Sequence, residues 1–318
     1  MTAGPVPSTA TLSRPASSPA AGPRRSTLLL LLLTLRPEQW TKNLLIFAGV
    51  LFGGRLLDAA AVWSAVAMFA VFCGLSSAVY VFNDLADREA DRRHPLKRGR
   101  PIASGQLSPR VAALAGIVIA AGAIAGALAL GRTSVLVAGA YLVLLVLYSA
   151  VFKHIVIVDV LVIAGGFVLR AMAGAIAVSV PISEWLLVCT TLLALFLALS
   201  KRRHELTLLG EAATGHRRIL EEYSPYLLDQ MIAVVTASTL IAYSLYATSP
   251  ETAERFGTNR LGLTIPFVLY GIFRYLYLVH QKLGGGSPAA MLVTDRPLLV
   301  CVALWTLSVA MILYFPRG

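Results

Sequence analysis

Charge is in short supply: 14% of the 318 residues are Asp, Glu, Lys or Arg, where soluble domains carry about a quarter. With 57% apolar residues and a mean hydropathy of +0.75, that shortage excludes an ordinary water-soluble enzyme. The same apolar content excludes a disordered chain. Cysteine is scarce as well. Cys73, Cys189 and Cys301 are odd in number and each sits in an apolar run, so they read as small buried hydrophobes, with no disulfide framework or zinc site. Acids are fewer than bases, 16 against 27, which leaves a formal net charge of +11. In a soluble protein that excess would suggest nucleic acid. Here its meaning depends on where the bases fall relative to the apolar runs.

Residues 1–25 are rich in Pro, Ala, Ser and Thr without apolar periodicity, and a disordered tail is expected there. The remainder, 26–318, reads as a single membrane-embedded domain. Leu28 to Leu35 form a short apolar run without a small-residue cleavage site, which favours an interfacial helix over a signal peptide. Beyond it lie nine stretches able to cross a bilayer, near 43–57, 59–82, 111–131, 133–152, 155–178, 184–200, 230–248, 261–280 and 297–315. The first and sixth fall short of the about 20 residues a crossing helix needs. Such a chain is all-α, because only helices satisfy their own backbone in lipid.

The bases fall unevenly between these stretches. The N-terminal segment, the loops after the second, fourth and sixth stretches, and the loop after the eighth hold nineteen of the 27; the opposite side holds five. Basic loops stay in the cytoplasm, so the N-terminus is expected inside a cell membrane and the C-terminus outside. The split accounts for the net charge with no nucleic acid.

The acids cluster where the second stretch ends, in Asn83-Asp84-Leu85-Ala86-Asp87-Arg88-Glu89-Ala90-Asp91. If the helix continues, Asp84, Asp87 and Asp91 fall within about 60° of one face. Three carboxylates on one stripe repel unless a cation lies among them, and magnesium takes oxygen ligands together with substrate phosphates. The basic run from Arg92 to Pro101, with Arg92, Lys97 and Arg100, supplies charge for the remaining phosphate oxygens. A solvated helix end with acids paired to Arg88, Arg92 and Arg93 is the plainer alternative.

The pattern N-D-x-x-D-x-x-x-D followed by Arg92, His94-Pro95, Lys97-Arg98 and Arg100-Pro101 resembles the first signature of the intramembrane UbiA prenyltransferase superfamily. The resemblance covers roughly residues 36–315 and implies about nine helices around a central cavity. It implies Asp84, Asp87 and Asp91 as catalytic magnesium–diphosphate ligands supported by Asn83. A second aspartate-rich motif is usual in family members that prenylate aromatic rings. This chain instead has Ser200-Lys201-Arg202-Arg203-His204-Glu205-Leu206, in what reads as the loop after the sixth stretch. Two metals gripping a prenyl diphosphate would want carboxylates on both sides; a basic second segment suits additional unmasked phosphate.

That segment, with Arg36-Pro37-Glu38-Gln39-Trp40-Thr41-Lys42-Asn43, Tyr148-Ser149 to Lys153-His154 with Asp159, and Gly166 to Gly174, is similar to the decaprenyl-phosphate phosphoribosyltransferase branch. The resemblance implies transfer of 5-phosphoribose from phosphoribosyl pyrophosphate (PRPP) to a polyprenyl phosphate for cell-wall arabinan, with Mg2+ as cofactor and a homo-oligomer left open. Lys42, Lys153, Lys201 and Arg202 would contact the acceptor phosphate or the donor 5-phosphate. Glu205 or Asp159 would hold ribose hydroxyls or orient a lysine.

Asp159 and Arg170 share a face of one helix but stand about 16 Å apart along it, so each needs another partner or a polar cavity. Arg274 is expected to snorkel. His94 and His204 lack metal-ligand spacing, and Gly284 to Ser287 read as a flexible loop. A prenyl-diphosphate transferase acting on an aromatic acceptor is the nearest alternative function. A transporter is the alternative of another class, against which stands the lack of internal repeats.

Overall fold

In a computed structural model the chain is helical throughout the residues the structure describes, 26–95, 97–209, 222–282, 286 and 288–315. The N-terminal tail, most of Gly284 to Ser287 and the segment 210–221 lie outside them. Among the described residues eight helical spans are long and apolar enough to cross a membrane, the seventh counted from Arg260 with the 3-10 turn ahead of its α-helix. They are α3 (Ala59–Ala86), α5 (Pro109–Ala129), α6 (Arg132–Ala150), α7 (Val158–Ala177), α8 (Glu184–Leu209), α9 (Pro225–Thr248), α11 (Ile265–Gln281) and α13 (Arg296–Tyr314). Short helices α1 (Thr27–Leu35), α2 (Ala48–Phe52), α4 (Arg88–Arg93), α10 (Pro250–Phe256) and α12 (Pro288–Thr294) complete the set.

Their starts follow from local chemistry. Asp58 caps α3 by accepting from the amides of Ala60 and Ala61 at 3.0 and 3.2 Å. Ser224 caps α9 ahead of Pro225, and Asp295 caps α13. Each cap satisfies amides that lack a partner within the helix. Large apolar side chains such as Leu136, Leu114 and Val234 point outward and are exposed, as a lipid-facing surface requires.

The expected first span is not an α-helix over 43–57. Pro37–Phe47 is a 3-10 helix that runs into α2. At about 2.0 Å rise per residue for 3-10 and 1.5 Å for α, residues 37–52 still cover about 30 Å. Its pairing with α3 shows the difference in pitch. Arg36 meets Asp84, Trp40 donates to Ser77, and Asn43 donates to Cys73. Fewer residues of the 3-10 segment keep pace with more residues of the α-helix. In a 3-10 helix positions three apart eclipse, so Trp40, Asn43 and Ile46 form one inward stripe, which Gly49 extends in the first turn of α2. Gly49 and Gly174 of α7 lie backbone to backbone: a Cβ on Gly174 would fall on the Ile46 carbonyl, and one on Gly49 on the Gly174 peptide. Small residues permit this approach.

Two apolar cores flank α7. One centres on Phe72, Tyr141, Met68 and Ile46; the other joins Phe196, Leu228, Tyr275 and Val160. At the end of the bundle away from Asp84, the Tyr314 hydroxyl at the end of α13 donates to the Val50 carbonyl at 2.9 Å. The polar side chains gather at the opposite end, above the seam between the two cores.

Candidate active site

α3 ends at Ala86 inside the acidic run, and α4 carries the run on from Arg88 after a turn at Asp87. The Asp87 amide donates to the Asn83 carbonyl and the Asp91 amide to the Asp87 carbonyl, at 2.9 and 2.8 Å, so the expected stripe forms up to a turn at Asp87. Its members do not share one environment. Asp84 and Asp91 are buried, while Asp87 is exposed and makes no ion pair with a described residue. Arg100 Nη1 lies 3.0 Å from Asp84 Oδ1 and 2.6 Å from Asp91 Oδ2. Arg36 Nη2 lies 2.5 Å from the same Asp84 oxygen, with its guanidinium over the Tyr80 ring. Lys97 Nζ is 3.8 Å from Asp91. Two buried carboxylates thus already share one cationic nitrogen. Asn83 donates to Ser149 Oγ on α6 at 3.1 Å, which ties the motif to α6. Arg92 turns away, to the Ala103 carbonyl and Glu89.

A second cluster sits where α7, α8 and the approach to α9 meet. The basic stretch 200–206 is the end of α8, not the loop the sequence suggested; α8 runs on to Leu209. Helical spacing then brings Arg202 and Glu205 to one side, with Nη1 to Oε2 at 2.6 Å, and sets Lys201 3.7 Å from Glu205. Arg202 Nε donates to Asp159 Oδ2 at 2.8 Å and Nη2 to the Tyr148 hydroxyl at 3.2 Å. Tyr223 donates to the other Asp159 oxygen at 3.0 Å. Burial and the neighbouring carboxylate push the Tyr223 hydroxyl up to about 12, so it stays a proton donor. Arg202 is the largest fully buried side chain described, which makes it a strut between helices; the expected phosphate contact has its nitrogens engaged elsewhere.

The third feature was not singled out in the sequence as a site. Arg170, buried in α7, donates to Asn43 Oδ1 at 2.7 Å, to the Gly166 carbonyl at 2.8 Å and to the Tyr141 hydroxyl at 2.5 Å. Tyr141 and Phe167 present ring faces to it. All these partners are neutral, and among the described residues no carboxylate pairs with Arg170. Lys42 stands in the 3-10 segment next to Asn43, the residue that accepts from Arg170, and is half-buried. Lys153, in a short 3-10 turn after α6, is half-buried and makes no ion pair with a described residue. Arg274 forms a two-pronged pair with Asp295 at 3.1 and 2.8 Å in place of the expected snorkelling, and that pairing holds the Asp295 carboxyl below its ordinary range.

Among the described residues no group of three His, Cys, Asp or Glu is arranged as a finished metal site. The donor set nevertheless fits magnesium: two hard carboxylates converging on one positive charge, with Asp87 at the rim. Mg2+ is commonly held by one or two carboxylates plus substrate phosphates.

A helical bundle with paired buried carboxylates and clustered arginines at one membrane-facing end defines a class of intramembrane transferases. Residues 43–282 match the model of the UbiA prenyltransferase family, and the chain belongs to that family. It is 32% identical over 311 residues to decaprenyl-phosphate phosphoribosyltransferase of Mycolicibacterium smegmatis, covering 94% of this chain and 97% of that one. It is 33% identical over 280 residues to the protein of the same name from Mycobacterium tuberculosis, covering 86% and 91%. The fold is similar to that of a UbiA homolog from Archaeoglobus fulgidus bound to GPP and Mg2+, with a TM-score of 0.69 at 22% identity over 90% of this chain and 99% of that one.

Proposed function

We propose that this multi-pass UbiA-family transferase moves 5-phosphoribose from PRPP to a polyprenyl phosphate, releasing pyrophosphate, in a cell membrane with its site facing the cytoplasm. The product would feed cell-wall arabinan. The observation that carries this reading is charge left over. Asp159 and Glu205 balance Arg202 and Lys201, and Asp84 and Asp91 are already outweighed by Arg36, Arg100 and Lys97. Arg170, with neutral partners only among the described residues, adds a positive charge that no described carboxylate balances. A prenyl diphosphate brings one diphosphate; PRPP and a lipid phosphate bring two more phosphoryl groups. The relatives named as decaprenyl-phosphate phosphoribosyltransferases support the same choice.

In this mechanism Asp84, Asp91 and Asp87 would hold the magnesium–diphosphate, with Asn83 steadying the motif through Ser149. Bound magnesium supplies Lewis-acid neutralisation of the departing diphosphate. Arg100 and Arg36, which sit on those carboxylates, would supply positive charge to diphosphate oxygens beside them, where charge develops. Lys97 and Arg92 border that end. Lys42, Lys201 and Lys153 receive the acceptor phosphate and the donor 5-phosphate; Arg170 has all three nitrogens engaged by neutral partners and would join them by giving up one of these, such as Tyr141. Glu205 sets Lys201, and Asp159 holds Arg202. The acceptor is already anionic at neutral pH and needs no strong general base.

Membranes carrying the protein are offered labelled PRPP or a labelled prenyl diphosphate. Label entering lipid from PRPP is the expected result, and label entering only from the prenyl donor would establish an aromatic-type prenyl transfer instead.

A further inference from the structure

α9 and α11 lie side by side but touch only along part of their length, and a groove of about 450 Å³ remains between them. Its mouth holds Asp229 and His280, 3.3 Å apart, and its far end is Leu240 and Leu269. Eleven residues along either helix is about 16 Å, roughly half of the about 30 Å hydrocarbon thickness. The walls are apolar apart from the mouth and Thr236.

The groove is separate from the reacting end. Arg202 and Arg203 are neighbours on α8 but point to different helices: Arg202 to Asp159 on α7, Arg203 to Asp229 on α9 with Nε to Oδ1 at 2.5 Å. Among the described residues the mouth therefore carries Arg203 and His280 on its one acid, Asp229, with exposed Lys282 two residues beyond His280 at the end of α11. It attracts a negatively charged head.

Thr236 supplies the second observation. Thr239 and Thr248 on the same helix bond back to their own backbone, at 2.7 and 2.8 Å. The Thr236 hydroxyl has no accessible surface and no hydrogen-bond partner among the described residues; the residue lines the groove, and a rotation to another χ1 rotamer turns the hydroxyl into it. A buried hydroxyl without an acceptor is costly, and a bare polyprenyl chain has no acceptor to offer.

The geometry points to a phospholipid site: the α9–α11 groove takes one acyl chain of an anionic phospholipid from the leaflet at the basic end, with its phosphate beside Arg203 and His280 and an ester carbonyl accepting from Thr236. The chain follows the groove to mid-bilayer. The polyprenyl phosphate substrate binds elsewhere, on the α7 side of α8.

Full-length protein stripped of lipid is titrated by native mass spectrometry with dioleoylphosphatidylglycerol, dioleoylphosphatidylcholine and a polyprenyl phosphate. One phosphatidylglycerol binds in preference to phosphatidylcholine. Ala237→Phe, which fills the groove from an exposed position, lowers its occupancy at least about tenfold, and Thr236→Val weakens binding about fivefold, the worth of one neutral hydrogen bond. Asp84→Asn leaves phosphatidylglycerol binding intact. If Ala237→Phe does not fold, Ala233→Leu blocks the same groove. Unchanged binding in the blocked variants, equal binding of phosphatidylcholine, or one-for-one displacement by polyprenyl phosphate would each overturn the site.

Discussion

Arg202 Nε meets Asp159 Oδ2 at 2.8 Å, with the two side chains 2% and 0% exposed. A charge pair this far from water holds α7 to α8 and is costly to break, because removing one partner strands the other. Arg202→Met alone is expected to cost about 3–5 kcal/mol of stability, read as a lower unfolding temperature in detergent. Asp159→Leu combined with Arg202→Met restores most of it. Lys201→Met, half-exposed, costs under about 1 kcal/mol yet lowers transfer. A stable, fully active Arg202→Met protein would contradict the strut.

Asp84→Asn and Asp91→Asn are expected to reduce turnover by about 10²–10³, the scale of losing a group aimed at developing charge. Chelation removes activity and added magnesium returns it. Asp87→Asn, exposed, raises the magnesium needed for half-maximal rate with no change in unfolding temperature. Full turnover after exhaustive chelation would remove the metal from the mechanism.

Arg170→Gln keeps the bond to Asn43 within reach, because its amide ends where Arg170 Nε stands, and deletes both the charge and the bond to Tyr141. The KM for PRPP or for the lipid phosphate is expected to rise about tenfold or more, since hydrogen bonds to a charged group are worth about 1.5–3 kcal/mol. Equal KM values for both substrates in variant and parent would show that Arg170 meets no phosphate.

Gly174→Ala forces a methyl onto the Ile46 carbonyl. Overpacking of this kind costs about 1–3 kcal/mol, and the same is expected for Gly49→Ala. Gly122→Ala in α5, where a Cβ would meet open space, serves as the control. Equal unfolding temperatures for all three would mean that the 3-10 segment is free to move.

Eight of the spans were legible because hydropathy over about 20 residues is a strong signal, and their ends came close except at α8, expected to stop at 200 and running on to Leu209. That Asp84 and Asp91 come together was legible from their spacing; the turn at Asp87, which leaves that carboxylate exposed, was not. The first crossing was misread as α because pitch leaves little trace in hydropathy; the three-residue recurrence of Trp40, Asn43, Ile46 and Gly49 was the signal to be found. The end of α8 passed for a loop since its charges masked its periodicity, and Arg202 passed for a substrate contact because nothing local reveals that its partner is Asp159. Arg170 was seen as costly in lipid, but its neutral partners come from the 3-10 segment and α6, too distant in the chain for any spacing rule.

A 3-10 rod is longer and thinner than an α-helix of equal residue count. Were Pro37–Phe47 to rewind as α, it would contract by about 5 Å, close to one full turn. Lys42 and Asn43 would then slide past Asp84, Ser77 and Cys73, and the guanidinium of Arg170 would lose its Asn43 acceptor. The overwound coil thus works as a spacer of fixed gauge, setting how deep Lys42 stands relative to the acids of α3.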